Sequence, residues 1–150
     1  MVRKAFSRYI DERVISVISE NPEAPPMSKQ RINFAMILVS EGLRSEQTIS
    51  EIVTLAQKYK GMVDSITGTL ITVYFGVPLP QPDQKELRIA FLKGLSENLG
   101  PSLAIVHGEC ECPVGKVGNE NRMGYTAFLP DFKEKLARLS SLEFGQAVEN

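Results

Sequence analysis

The sequence predicts an α+β fold with a ferredoxin-like βαββαβ core and one additional helix ahead of it. Three observations lead there. Apolar runs of strand length alternate with amphipathic stretches of helical spacing, in the order strand, helix, two strands, helix, strand, strand, helix. A tight Thr67-Gly68-Thr69 centre joins two β-rich runs as a hairpin. Pairs of capping-type residues stand at three helix starts.

The leading helix is expected over Ser7 to Glu20, where Ile10, Val14, Ile15, Val17 and Ile18 fall near helical spacing. It ends in the breaker cluster Asn-Pro-Glu-Ala-Pro-Pro at 21–26. Its apolar stripe suits core packing and a coiled-coil seam between protomers equally. Residues 1–27 thus form a helix and a stiff linker ahead of one domain over 28–142, with 143–150 as a tail.

Within the domain, Ile32 to Val39 is apolar except for Asn33 and is followed by Ser-Glu-Gly, the pattern of a buried strand. Thr48 to Tyr59 places Ile49, Ile52, Val53, Ala56 and Tyr59 on one face, with Thr48 and Glu51 spaced as a capping box. The hairpin strands are Met62 to Ile66 and Leu70 to Phe75, with Gly68 free to take a positive φ. Asp83 and Glu86 repeat the capping spacing before a helix that Gly100-Pro101 stops. Ser102 to Val106 continues as a strand toward the cysteines, and Arg122 to Leu129 follows a Gly-rich turn at 115–121. A last helix opens at Asp131, with Glu134 three residues on and Phe132, Leu136 and Leu139 on one face.

Composition excludes several classes. The chain of 150 residues is 43% hydrophobic and 23% charged, which suits one folded domain. Seventeen basic against eighteen acidic residues leave a net charge of -1, so no overall positive field draws nucleic acid or anionic lipid. The longest apolar run, Phe34 to Val39, falls far short of the roughly 20 residues that cross a bilayer. The N-terminus lacks the apolar segment of a secretory signal, so the expected location is cytoplasmic. Cys110 and Cys112 lie two apart in a strand, share one face and are expected as reduced thiols. His107, Glu109 and Glu111 alternate with them, which sends neighbours to opposite faces and argues against a metal cluster.

Three blocks, in this order and spacing, resemble the class III adenylate and guanylate cyclases. Phe6-Ser-Arg-Tyr-Ile-Asp-Glu-Arg-Val is similar to the helical element that precedes the bacterial catalytic domain. Gly61 to Asp83, with its Phe75-Gly-Val-Pro-Leu-Pro exit, resembles the family hairpin. Val106-His-Gly-Glu, Val114-Gly-Lys-Val-Gly-Asn and Arg122-Met-Gly-Tyr-Thr resemble the strands after it. Together they span most of residues 6–140.

The resemblance implies a reaction and shows where this chain departs from it. Family members hold two divalent metals between paired aspartates, so that the ribose 3'-hydroxyl attacks the α-phosphate. The aspartate that ends the first strand corresponds to Val39 or Ser40, and the one after the hairpin glycine to Thr69. No resident cofactor is therefore expected. Only about 20 residues separate the first strand from Gly61, room for one helix where the family has two, which shortens the phosphate cradle. The base-reading lysine falls on Ser65, the ribose-orienting asparagine on Glu134, and a base-reading position on Thr126. The transition-state arginine is matched by Arg138, where an ion pair with Glu134 at i,i+4 is expected.

These departures imply a catalytically inactive cyclase-like domain serving as a regulatory, dimerisation or partner-binding module in signalling. Two alternatives stay open: an active cyclase or half-site subunit whose partner supplies the metals, and a nucleotide sensor without turnover. The family dimerises head to tail, so the implied partner is a second copy or another cyclase-type domain.

Overall fold

Two long strands organise the sheet. The computed structural model describes residues 27–42, 44–119 and 122–150. The expected helix at 7–20 and the linker up to residue 26 lie outside them. β1 is Met27–Val39 and β4 is Leu103–Asn119, and they pair antiparallel from Met27↔Gly115 to Val39↔Leu103. β1 begins five residues before the predicted apolar run because Ser28 to Arg31 pair with β4 despite their polarity. Lys29 lies 3.8 Å from Glu111, and Arg31 is hydrogen-bonded to Glu109. Such cross-strand charge pairs favour a ladder without leaving a hydrophobic signature.

The hairpin forms as expected, with β2 at Met62–Thr67 and β3 at Leu70–Phe75. Gly68 turns it at φ 60, a conformation that a Cβ would strain. The sheet order is β2-β3-β1-β4-β5, with β5 at Arg122–Ala127. The order β2-β3-β1-β4 is that of the ferredoxin-like core. A sixth short strand, β6 (Ala147–Glu149), lies parallel to Ile105–His107 of β4, within the segment expected only as a tail. Three residues between polar neighbours carry too little alternation to announce a strand.

Among the described residues, one helix, α1 (Ser45–Lys58), separates β1 from β2, in line with the predicted shortening. α2 is Gln84–Leu99, followed by a single 3-10 turn at Gly100–Ser102, and α3 is Phe132–Ser141. None of the three starts has a side-chain cap. α1 begins at Ser45, so Thr48 already lies inside it, its N–H bonded to Arg44 O at 2.9 Å. Asp83 has ψ 21, and Asp131 is left-handed at φ 54 and ψ 40. An N-cap carboxylate reaches the first-turn amides from extended backbone, and neither aspartate has it.

The sheet separates two apolar layers. α1 and α2 cover one face, where Ile52, Ala56, Phe91 and Leu95 meet Ala35, Ile37, Val73 and Phe75. The Phe75 and Phe91 ring centroids stand 5.5 Å apart at 55°, a tilted aromatic contact. α3 lies on the opposite face, where Leu139 joins Ile32, Phe34, Met36, Val106 and Cys112. β4 and β5 bend over this second face, and the Tyr74 hydroxyl of β3 donates to Ala127 O of β5 at 3.2 Å. No helix among the described residues is long and apolar enough to cross a membrane.

Candidate functional site

The positions that the resemblance matches to the family's metal aspartates lie together. Val39 N–H donates to Thr69 O at 2.9 Å, which holds the end of β1 against the hairpin turn. Ser40 N–H in turn donates to Ser102 O at 2.9 Å. Val39 is 1% exposed and points into the layer beneath α1 and α2. Strand alternation puts Met36 and Leu38 on the other face, toward α3. No carboxylate occurs anywhere from Ile32 to Ser40, so its absence does not depend on which residue is matched. A divalent metal of the magnesium type needs carboxylate oxygens, and a valine or serine beside a threonine does not supply them. Among the described residues, no group of three or more His, Cys, Asp or Glu side chains could hold a metal ion. The donor set does not fit the metals that the resemblance implies.

The base-reading positions are arranged differently from expectation. Ser65 pairs with Thr72 and is exposed. The β2 register shifts between Val63 and Ser65, which leaves Asp64 as the extra residue of a bulge. Asp64, not Ser65, reaches Thr126, whose hydroxyl is hydrogen-bonded to its carboxyl. Burial raises the Asp64 pKa above its ordinary 3.8, and the Thr126 bond opposes the rise without cancelling it. Asp64 in turn helps burial hold the Tyr74 hydroxyl protonated. Sequence reading missed Asp64 because a bulge reverses the facing of a residue without changing its neighbours.

α3 presents both expected residues to solvent, and they are not paired. Glu134 and Arg138 are exposed, and no ion pair joins them. Arg138 Nη1 instead donates to Asn150 Oδ1 at 3.0 Å, a partner supplied by the segment expected as a tail. The buried face of α3 also departs from expectation: Phe132 is 41% exposed, while Lys135 is buried beside Leu139. Lys135 Nζ donates to Pro130 O and stands 5.6 Å from the centre of the Phe34 ring, so the stem is buried and the ammonium is held by a carbonyl and an aromatic face. The i,i+4 spacing of Lys135 and Leu139 was the available signal, obscured by the lysine's charge.

Cys110 and Cys112 are free thiols on the α3 face of β4, hydrogen-bonded to each other. Burial raises both pKa values, Cys112 to about 12, so both are thiols at neutral pH. His107 points to the opposite face, as alternation requires, and lies near Arg88 and Glu149. Arg88, which the sequence did not single out, is 1% exposed under α2, and its Nη2 donates to Glu149 Oε2 at 2.8 Å. A shallow groove of about 490 Å³ runs along Ser50, Glu51, Thr54, Leu55 and Asn98 of α1 and α2, on the side of the sheet away from Arg138.

The ferredoxin-like order, the bent β4 and β5 pair and the helix carrying Arg138 define the architecture of a nucleotide cyclase catalytic domain. Solved structures agree: the chain has the fold of class III adenylyl and guanylyl cyclase domains. The adenylyl cyclase CyaB from P. aeruginosa is 19% identical over 83% of this chain and 79% of that one, with a TM-score of 0.61. The guanylate cyclase domain of RhGC from Catenaria anguillulae, solved with GTP, is 11% identical over 80% and 78%, with a TM-score of 0.64. A dimeric guanylyl cyclase domain of RhoGC from Blastocladiella emersonii is 13% identical over 80% and 79%, with a TM-score of 0.60. No protein-family profile and no curated protein matches the sequence.

Proposed function

We propose that this chain is a catalytically inactive nucleotide cyclase-like domain, acting in the cytoplasm as a regulatory, dimerisation or partner-binding module. The observation that carries this reading is the contact between Val39 and Thr69. The strand end and hairpin turn that the resemblance matches to the metal aspartates are assembled here, and their side chains are a buried valine followed by a serine, and a threonine. Without two metals, neither the attacking hydroxyl nor the developing phosphate charge is stabilised.

The remaining positions support the same reading. Ser65 removes the base-reading cation, and Thr126 is engaged by Asp64. Glu134 adds a negative charge on the helix that carries Arg138. A partner surface is at hand: Phe128 and Phe132, 53% and 41% exposed, flank the start of α3. Aromatic residues are enriched at protein–protein interfaces relative to the rest of the surface. The partner that best fits is another cyclase-type domain, either a second copy or a different subunit; the RhoGC domain of the same fold has been solved both as a non-canonical dimer and as a monomer.

Light scattering combined with calorimetry tests this. A dimer that gives no heat with ATP or GTP and Mn²⁺ supports it. Micromolar nucleotide binding without turnover replaces it with a nucleotide sensor, and a nucleotide-free monomer that captures no cyclase-type partner contradicts the dimerisation role.

A further inference from the structure

β6 touches both layers of the domain through consecutive residues, because neighbouring strand side chains point to opposite faces. On the α2 side Glu149 Oε2 accepts Arg88 Nη2 at 2.8 Å. On the α3 side Asn150 Oδ1 accepts Arg138 Nη1 at 3.0 Å, and Val148 packs into the core beneath α3. The backbone seats the strand: Gly145 N–H donates to Leu103 O at 2.7 Å, Ile105 N–H to Gln146 O at 3.0 Å and Asn150 N–H to His107 O at 2.8 Å.

Two features make the seating consequential. Gly108 lets the end of the strand approach: a Cβ there would stand 2.9 Å from Asn150 O, closer than Cβ atoms normally come. Arg88 depends on the strand for charge. Its side chain is 2% exposed, and among the described residues Glu149 is its one ion-pair partner and its Nε and Nη1 have no hydrogen-bond partner. A guanidinium does not shed its proton, so losing Glu149 strands a full charge away from water.

We propose that β6 is a strap that governs α2 and α3 together. Seated, it neutralises Arg88 with Glu149 and occupies Arg138 with Asn150. Lifted, it deprives both arginines of their partners in one movement, loosening two helices on opposite faces of the sheet. Lifting also frees the Arg138 Nη1 that Asn150 holds for an anionic group, a consequence that rests on the place assigned to Arg138 above. The coupling itself involves no nucleotide, so its test stands apart from the functional reading.

Amide hydrogen exchange on the full chain reads the coupling in the parent, Gly108→Ala and Glu149→Gln. The strap requires exchange to rise by about tenfold in β6, in the first half of α2 and in α3, with the β2–β3 hairpin unchanged. Faster exchange in β6 alone, with both helices at parent rates, would make it a passive end and overturn the proposal. An equal rise in the hairpin would do the same, since the strand would then only report global unfolding. Should Gly108→Ala not fold, Glu149→Gln carries the test, because its side chain is 65% exposed and its replacement leaves the core intact.

Discussion

Val39 donates its backbone N–H to the carbonyl of Thr69 at 2.9 Å, so the strand end and hairpin position that the resemblance matches to metal aspartates, Val39 or Ser40 and Thr69, lie together without a carboxylate. Their burial differs: Val39 is 1% exposed, whereas Thr69 is half-buried. Thr69→Asp should therefore fold with a urea midpoint close to that of the parent. Val39→Asp places a carboxyl in an apolar layer and should cost at least about 3 kcal/mol. Urea unfolding of both variants checks this, and a double variant as stable as the parent would show that the layer is more permissive than its packing implies.

His107 is the chain's one histidine, so its titration is read without assignment. Burial lowers its pKa from the ordinary 6.5, the Arg88 guanidinium lowers it further, and Glu149 partly offsets both. A folded pKa below the unfolded one means that the contribution to stability is complete above 6.5 and is lost as pH falls through the folded value. The parent should lose stability on acidification through this window, and His107→Gln should flatten that loss. Glu149→Gln should push the His107 pKa lower still, an effect visible in the imidazole carbon-bound proton shifts. A rise on the same substitution would mean that Glu149 does not act on this ring.

Asp64 titrates in the opposite sense. Its folded pKa lies above 3.8, so its favourable contribution is present below 3.8 and is lost as pH rises through the folded value. Once ionised, the half-buried carboxylate opposes the fold. Asp64→Asn keeps a group able to bond Thr126 and removes that charge, so it should raise the urea midpoint at pH 7, with the gain gone near the bottom of the acid range. A variant less stable than the parent at pH 7 would mean that the Thr126 bond outweighs the burial of the charge.

Most of the architecture was legible in the sequence because it rests on apolar periodicity and turn chemistry. The hairpin around Gly68, the helix stopped by Gly100 and the single helix between β1 and β2 all stand as read. What escaped depends on contacts between distant segments. The polar start of β1 is held by pairing with residues some 80 positions away, such as Arg31 with Glu109. β6 is seated by β4 and not by its own pattern. The bulge that turns Asp64 toward Thr126 and the capture of Arg138 by Asn150 are tertiary events. Helical spacing alone favoured Glu134 as the partner of Arg138, but an exposed i,i+4 ion pair is worth only a few tenths of a kcal/mol and yields easily to a competing contact.

The central claim is that the cyclase fold is present without cyclase chemistry, and a turnover assay addresses it most directly. Purified chain incubated with ATP or GTP and Mn²⁺ should form no cyclic nucleotide above a protein-free control, and Arg138→Ala should leave that baseline unchanged. Cyclic AMP or cyclic GMP formed by the parent and abolished by Arg138→Ala would contradict the claim.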